Sequence, residues 1–202
     1  MFRILTVILL LVIAQQGQDK KRIVFFGDSI TAGYGINIEN AFPAIIQERL
    51  NAKGFSYEVV NAGLSGETTA GGLQRIDWIL RSNPEILVLE LGGNDGLRGL
   101  SLEQTRSNLK EMIQKIRAAD ENTEIILAGM QIPPNLGQDY TNSFRTLFAD
   151  IAESEEVKFI PFLLEGVGGE KELNLSDGIH PNEAGHEIVA ETVWAFLAPI
   201  LD

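Results

Sequence analysis

Residues 86–91 read Ile-Leu-Val-Leu-Glu-Leu, and residues 125–130 read Ile-Ile-Leu-Ala-Gly-Met. Neither run alternates. A strand with one face in water switches between apolar and polar residues, whereas a strand covered on both faces stays apolar throughout. These two stretches therefore read as central strands of a parallel sheet. Three more runs complete the set, so that the expected strands are Arg22–Phe26, Tyr57–Asn61, Ile86–Leu91, Glu124–Gly129 and Val157–Pro161.

Helical patterns fill the gaps between them. Pro43–Lys53 carries Ile45, Ile46 and Leu50 at helical spacing and stops at Gly54. Thr68–Arg81 gathers Leu73, Ile76, Ile79 and Leu80 on one side. Ser101-Leu102-Glu103-Gln104 is a capping box that opens a helix to about Ala119. Tyr140–Glu153 and Pro181–Leu197 follow, the latter with a proline in its first turn. Alternating strands and helices predict an α/β fold: a three-layer α/β/α sandwich around a flavodoxin-like five-stranded parallel sheet of order 2-1-3-4-5. In that order ligands bind at the carboxyl ends of strands 1 and 3.

The chain has 202 residues, 45% of them apolar, enough for one domain over residues 20–202. Its net charge of −12 argues against nucleic acid or anionic membrane as a partner. Without cysteine it has no disulfide, thiolate or cysteine-zinc chemistry, and no lipoprotein anchor. Arg3 followed by an apolar stretch from Ile4 to Ala14 has the order of a secretory signal, residues 1–14, with an uncleaved anchor as the alternative. The expected location is periplasmic or secreted. A monomer is expected, with no membrane partner beyond a lipid substrate.

The chemistry-bearing residues cluster where the fold would use them. Strand 1 runs into Gly27-Asp28-Ser29, and strand 3 into Gly92-Gly93-Asn94-Asp95. His180 follows strand 5, with Asp177 three residues before it. A returning loop would let Asp177 orient the His180 ring, leaving its Nε2 free to take a proton from Ser29. An acyl-transfer site also needs oxyanion donors, and the Ser29 N–H, the Gly66 N–H and the Asn94 amide are available. Asp28 and Asp95 are expected to hold loops by accepting backbone N–H bonds. His186, beside Glu183 and Glu187, reads as solvent-facing.

The stretches FFGDSITAG (25–33), NAGLSGETTAGG (61–72), LELGGNDGLRG (89–99) and SDGIHPNEAG (176–185) resemble the four sequence blocks of the SGNH, or GDSL, hydrolases. The resemblance implies the SGNH hydrolase fold, with Ser29, Asp177 and His180 as the triad and Ser29, Gly66 and Asn94 as the oxyanion hole. It extends to a bacterial subgroup of exported thioesterase/lysophospholipase/arylesterases. It implies cleavage of a small-molecule ester or thioester without a metal or organic cofactor. Leu97, Ile132, Pro133, Pro134 and Leu136 are the expected substrate contacts. No Gly-x-Ser-x-Gly surrounds Ser29, which sets the chain apart from the α/β-hydrolase elbow. Three other readings stand beside this one: a carbohydrate acetylesterase, a metal-dependent phosphoesterase using Asp28, Asp95, Asp177 and His180, and a non-catalytic acyl carrier.

Overall fold

A computed structural model describes residues 20–202; the leader expected at residues 1–14 lies outside the described residues. Strands β1 (Lys21–Gly27), β2 (Tyr57–Asn61), β3 (Ile86–Glu90), β4 (Glu124–Ala128) and β5 (Lys158–Ile160) form one sheet. Its order is β2-β1-β3-β4-β5, and every pairing is parallel. The unalternating run is indeed covered on both faces: every residue of β3 is buried, Glu90 included. Phe25, Val88 and Ile126 stand side by side across the three central strands.

The helices are α1 (Ser29–Ala32), α2 (Phe42–Lys53), α3 (Thr69–Ile79), α4 (Gly93–Leu97), α5 (Leu102–Ala119), α6 (Gln138–Ser154) and α7 (Glu183–Leu197). α2 packs on α7, while α3 packs on α5 and α5 on α6, giving a helical layer on each face of the sheet. α5 shows how the sequence produces this arrangement. Ser101 caps it by accepting from the Gln104 N–H, and Leu109, Met112, Ile113 and Ile116 form its buried stripe.

Three expectations need correction. Pro181 is not in the last helix: it pairs with Asn174 in an isolated antiparallel bridge, and Asn182 caps α7 by accepting from the Gly185 N–H. Asn94 does not end a strand but lies in the one-turn helix α4, which begins directly after Gly92. His186 is not solvent-facing. It is 1% exposed, on the same stripe of α7 as Val189, Ala190 and Val193. Its Nδ1 accepts the Phe42 N–H at 3.2 Å, and its ring stacks on Phe42. Helical spacing decides this: Val189 and Ala190, three and four positions on, share the buried face with His186, whereas the adjacent Glu187 faces away and Glu183 is the exposed first residue of the helix.

Candidate active site

β1 ends in a turn that has no room for a side chain. A Cβ at Gly27 would lie 2.2 Å from Thr31 Oγ1 and 2.3 Å from Glu90 Oε2. The register explains the crowding, since Gly27 pairs with Glu90 across β1 and β3. Glu90 Oε2 accepts from the Asp28 N–H at 3.1 Å and from Thr31 Oγ1 at 2.7 Å. A buried acid thus holds the turn that carries Ser29. Burial, and then the Asp28 carboxylate nearby, push Glu90 well above the usual carboxylate range, because desolvation disfavours its charged form. Asp28 caps α1: its Oδ1 accepts from the Ile30 N–H at 3.0 Å. Ser29 is the first residue of that helix.

The loop before α7 brings the second half of the site. The Asn174–Pro181 bridge closes it, and the Leu175 N–H donates to the His180 carbonyl at 2.8 Å. Inside the loop, Asp177 Oδ1 accepts from the N–H groups of Ile179 and His180 at 2.9 and 3.0 Å. Its Oδ2 lies 2.7 Å from His180 Nδ1. Partial burial alone would raise the Asp177 pKa, but these backbone donors and the His180 ring outweigh it and hold the carboxyl at about 2. The Asp177 side chain is 36% exposed, so this carboxylate is wet rather than enclosed. His180 Nε2 lies 2.9 Å from Ser29 Oγ. The structure therefore brings Ser29, His180 and Asp177 into one hydrogen-bonded line, from two loops 151 positions apart. The exposed Tyr34 ring lies against His180, centroids 4.6 Å apart.

Asn94 Nδ2 donates to Asp28 Oδ2 at 3.0 Å, which sets its amide beside the Ser29 turn. Burial pushes Asp28 up to about 6, against the pull of the Ile30 N–H and the Asn94 amide. Gly66 sits in the turn between β2 and α3 at a φ of +80°, a left-handed backbone that suits glycine. It is not among the residues lining the cavity; its tie to the site is Arg98, whose Nη2 donates to the Gly66 carbonyl at 2.9 Å and to Asn94 Oδ1 at 3.3 Å. Asp95 points away from the chemistry and accepts from the Thr69 N–H and hydroxyl.

A cavity of about 530 Å³ opens beside Ser29, Asn94 and His180. Of the expected substrate contacts, Leu97, Ile132 and Pro133 line it, and Pro134 and Leu136 do not. Leu136 turns toward Gly99 instead, with Cδ1 3.4 Å from where a Cβ there would be. The reading of the sequence missed Met130, Phe162, Leu164 and Ile179. Met130 ends the apolar run of strand 4, and Ile179 is the neighbour of His180. Phe162 and Leu164 follow strand 5 and carry no local signal separating them from core.

A family model described as "GDSL-like Lipase/Acylhydrolase family" matches residues 25–188. The chain is 42% identical to the esterase TesA of Pseudomonas aeruginosa over 194 residues, 96% of each protein. It is 34% identical to an arylesterase of Vibrio mimicus over 194 residues, again 96% of each. It is also 34% identical to the thioesterase 1/protease 1/lysophospholipase L1 of Escherichia coli, over 89% of this chain and 85% of that one. A crystal structure of TesA superposes with a TM-score of 0.85, covering 90% of this chain and all of that one.

Proposed function

The chain belongs to the GDSL-like lipase/acylhydrolase family and is a carboxylic ester hydrolase, and on that premise we propose that Ser29 is its nucleophile, His180 its general base and Asp177 the residue that orients the base. The observation that carries this assignment is the 2.9 Å separation of His180 Nε2 and Ser29 Oγ. A serine hydroxyl is a weak nucleophile until a base accepts its proton. Asp177, 2.7 Å from Nδ1, keeps the proton on that nitrogen and leaves Nε2 as the acceptor.

Ser29 Oγ attacks the ester carbonyl as His180 takes its proton, and the imidazolium so formed faces the Asp177 carboxylate. The Ser29 N–H, the Gly66 N–H and the Asn94 amide stabilise the oxyanion, at roughly 3–4 kcal/mol for each well-aimed donor. His180 then protonates the leaving oxygen or sulfur, and water repeats the cycle on the acyl-Ser29 ester. None of these steps involves a metal. The acidic side chains that a metal reading would need are engaged separately: Asp28 with Ile30 and Asn94, Asp95 with Thr69, Asp177 with His180.

The finer reading concerns the substrate. We propose aryl and short-to-medium acyl esters, acyl thioesters and lysophospholipids. Supporting this, the cavity walls are largely aliphatic and aromatic, which suits an acyl or aryl group better than a sugar. Tyr34, Leu64, Leu97, Leu100, Leu136 and Ile179 all leave apolar surface exposed in the connections that follow the strands at this edge of the sheet. The apolar leader supports export, to be checked by the N-terminal mass of the enzyme recovered from the periplasmic or culture fraction.

The test is hydrolysis of p-nitrophenyl esters from acetate to palmitate by wild type, Ser29→Ala and EDTA-treated enzyme. Activity should vanish in Ser29→Ala, whose melting temperature should match wild type, and should survive EDTA. Wild-type turnover by Ser29→Ala would end the serine assignment, and loss with EDTA would move the reading to a metal. A profile peaking at palmitate would contradict the chain-length proposal.

A further inference from the structure

Two of the three oxyanion donors assigned above come from different loops. Gly66 lies between β2 and α3, and Asn94 lies on α4. Something must hold them in register, and something must choose which end of the Asn94 amide faces the reacting carbonyl.

Arg98 is placed to do both. It caps α4, its own N–H donating to the Asn94 carbonyl at 3.2 Å. Four residues on from Asn94, its side chain folds back one helical turn over that residue. There a single nitrogen, Nη2, meets Gly66 O at 2.9 Å and Asn94 Oδ1 at 3.3 Å. On the other side of the amide, Asp28 Oδ2 accepts from Asn94 Nδ2 at 3.0 Å. A guanidinium only donates and an ionised carboxylate only accepts. The two together therefore admit one orientation of the amide, with Oδ1 toward Arg98 and Nδ2 toward Asp28. One Nδ2 hydrogen goes to Asp28, and the second is left for an oxyanion.

The choice of partners is also unusual for this chain. With a net charge of −12 there are many carboxylates to pair with. Yet Arg49, Arg75 and Arg106 each meet a carboxylate, whereas the side-chain bonds of Arg98 among the described residues run to two neutral oxygens at the site. The side chain is exposed, so these bonds contribute little to stability. Stability alone does not account for the arrangement.

Resting on the assignment of Gly66 and Asn94 as oxyanion donors, we infer that Arg98 is a positioning residue for the oxyanion hole, locking the Asn94 amide and tying the Gly66 turn to it. The role is distinct from substrate binding, and kinetics separates the two. A contact used only in the transition state shows in kcat, whereas uniform binding shows in KM.

The experiment compares wild type, Arg98→Met, Arg98→Lys, Asn94→Ala and the Asn94→Ala/Arg98→Met double variant on p-nitrophenyl butyrate, with thermal melts of each. Asn94→Ala should lower kcat about 10²–10³-fold. Arg98→Met should lower kcat about tenfold, a fraction of a donor's worth, with KM and melting temperature close to wild type. Arg98→Lys should recover most of that loss, because one ammonium carries three hydrogens and can serve both oxygens. In the Asn94→Ala background Arg98→Met should cost less than in wild type, since part of its action runs through Asn94. A raised KM at unchanged kcat would show that Arg98 touches substrate instead, and an equal cost in both backgrounds would show that it acts independently of Asn94; either overturns the inference. A large loss in Asn94→Ala with Arg98→Met at wild-type kcat removes this inference alone. Full activity in Asn94→Ala removes the oxyanion assignment along with it.

Discussion

Replacing Asp177 with asparagine should separate its structural work from the catalytic work proposed for it. The carboxylate does two things with two oxygens: Oδ1 accepts from the Ile179 and His180 N–H groups, and Oδ2 accepts from His180 Nδ1. In Asp177→Asn the amide oxygen can keep the first pair of bonds, so the loop survives. The amide nitrogen then faces His180 Nδ1. It is a donor, so Nδ1 must become the acceptor and the ring proton must move to Nε2. That is the wrong tautomer for taking a proton from Ser29, 2.9 Å away. Exposure of the Asp177 side chain does not soften this effect, because a tautomer is set by a direct hydrogen bond and not by a screened charge. The expected loss in kcat at pH 7 is about 10⁴-fold, or about 5.5 kcal/mol of barrier. The loss in stability should stay near 1 kcal/mol or less, as for exposed charged pairs. Steady-state hydrolysis of p-nitrophenyl butyrate, paired with a thermal melt, reads both numbers. Activity within tenfold of wild type would refute the tautomer argument. A melting temperature that collapsed together with the activity would refute the claim that the two roles separate.

Two further predictions concern stability. Burial, with a smaller push from His180, lowers His186 to about 4 from an ordinary value of 6.5. The unfolded chain then binds a proton between those pH values that the folded chain refuses, so the contribution that His186 makes above pH 6.5 should fall by about 3 kcal/mol as the pH drops to 4, while the raised Asp28 and Glu90 carboxyls act in the opposite direction. Urea unfolding at pH 7.5, 6 and 4.5 should show it as a gap between wild type and His186→Asn that changes with pH, since the variant keeps an acceptor near the Phe42 N–H and shares the carboxyl contributions; a gap that stays constant with pH would contradict it. Gly96→Ala should destabilise the fold by about 1–3 kcal/mol through overpacking, because its Cβ would lie 2.6–2.7 Å from the Phe144 ring and 2.9 Å from Ile132 Cγ2. An unchanged melting temperature would show that α4 shifts freely, and with it the position of Asn94.

What the sequence determined by itself was the architecture and the stretches that carry the candidate reacting groups. The unbroken runs at 86–91 and 125–130 meant burial on both faces, and the sheet order followed from helices alternating with five such runs. Both are local signals, carried by spacing along one segment. The stretches holding Ser29, Gly66 and Asn94 were legible for the same reason, since each soon follows a strand, and His180 was marked by the Asp177 three positions before it. Only the tertiary structure decided how those loops meet. The pairing of Gly27 with Glu90 puts a buried acid against the turn that carries Ser29, and no pattern within β3 marks Glu90 as different from a strand residue pointing to water. The meeting of Arg98 with Gly66 depends on the path of two loops 32 positions apart. Phe162 and Leu164 became cavity wall because the segment after β5 runs beside the site, and an apolar side chain has the same local signature over a cavity as over a core. Periodicity reports which face of an element is buried; strand register and loop path determine what that face meets.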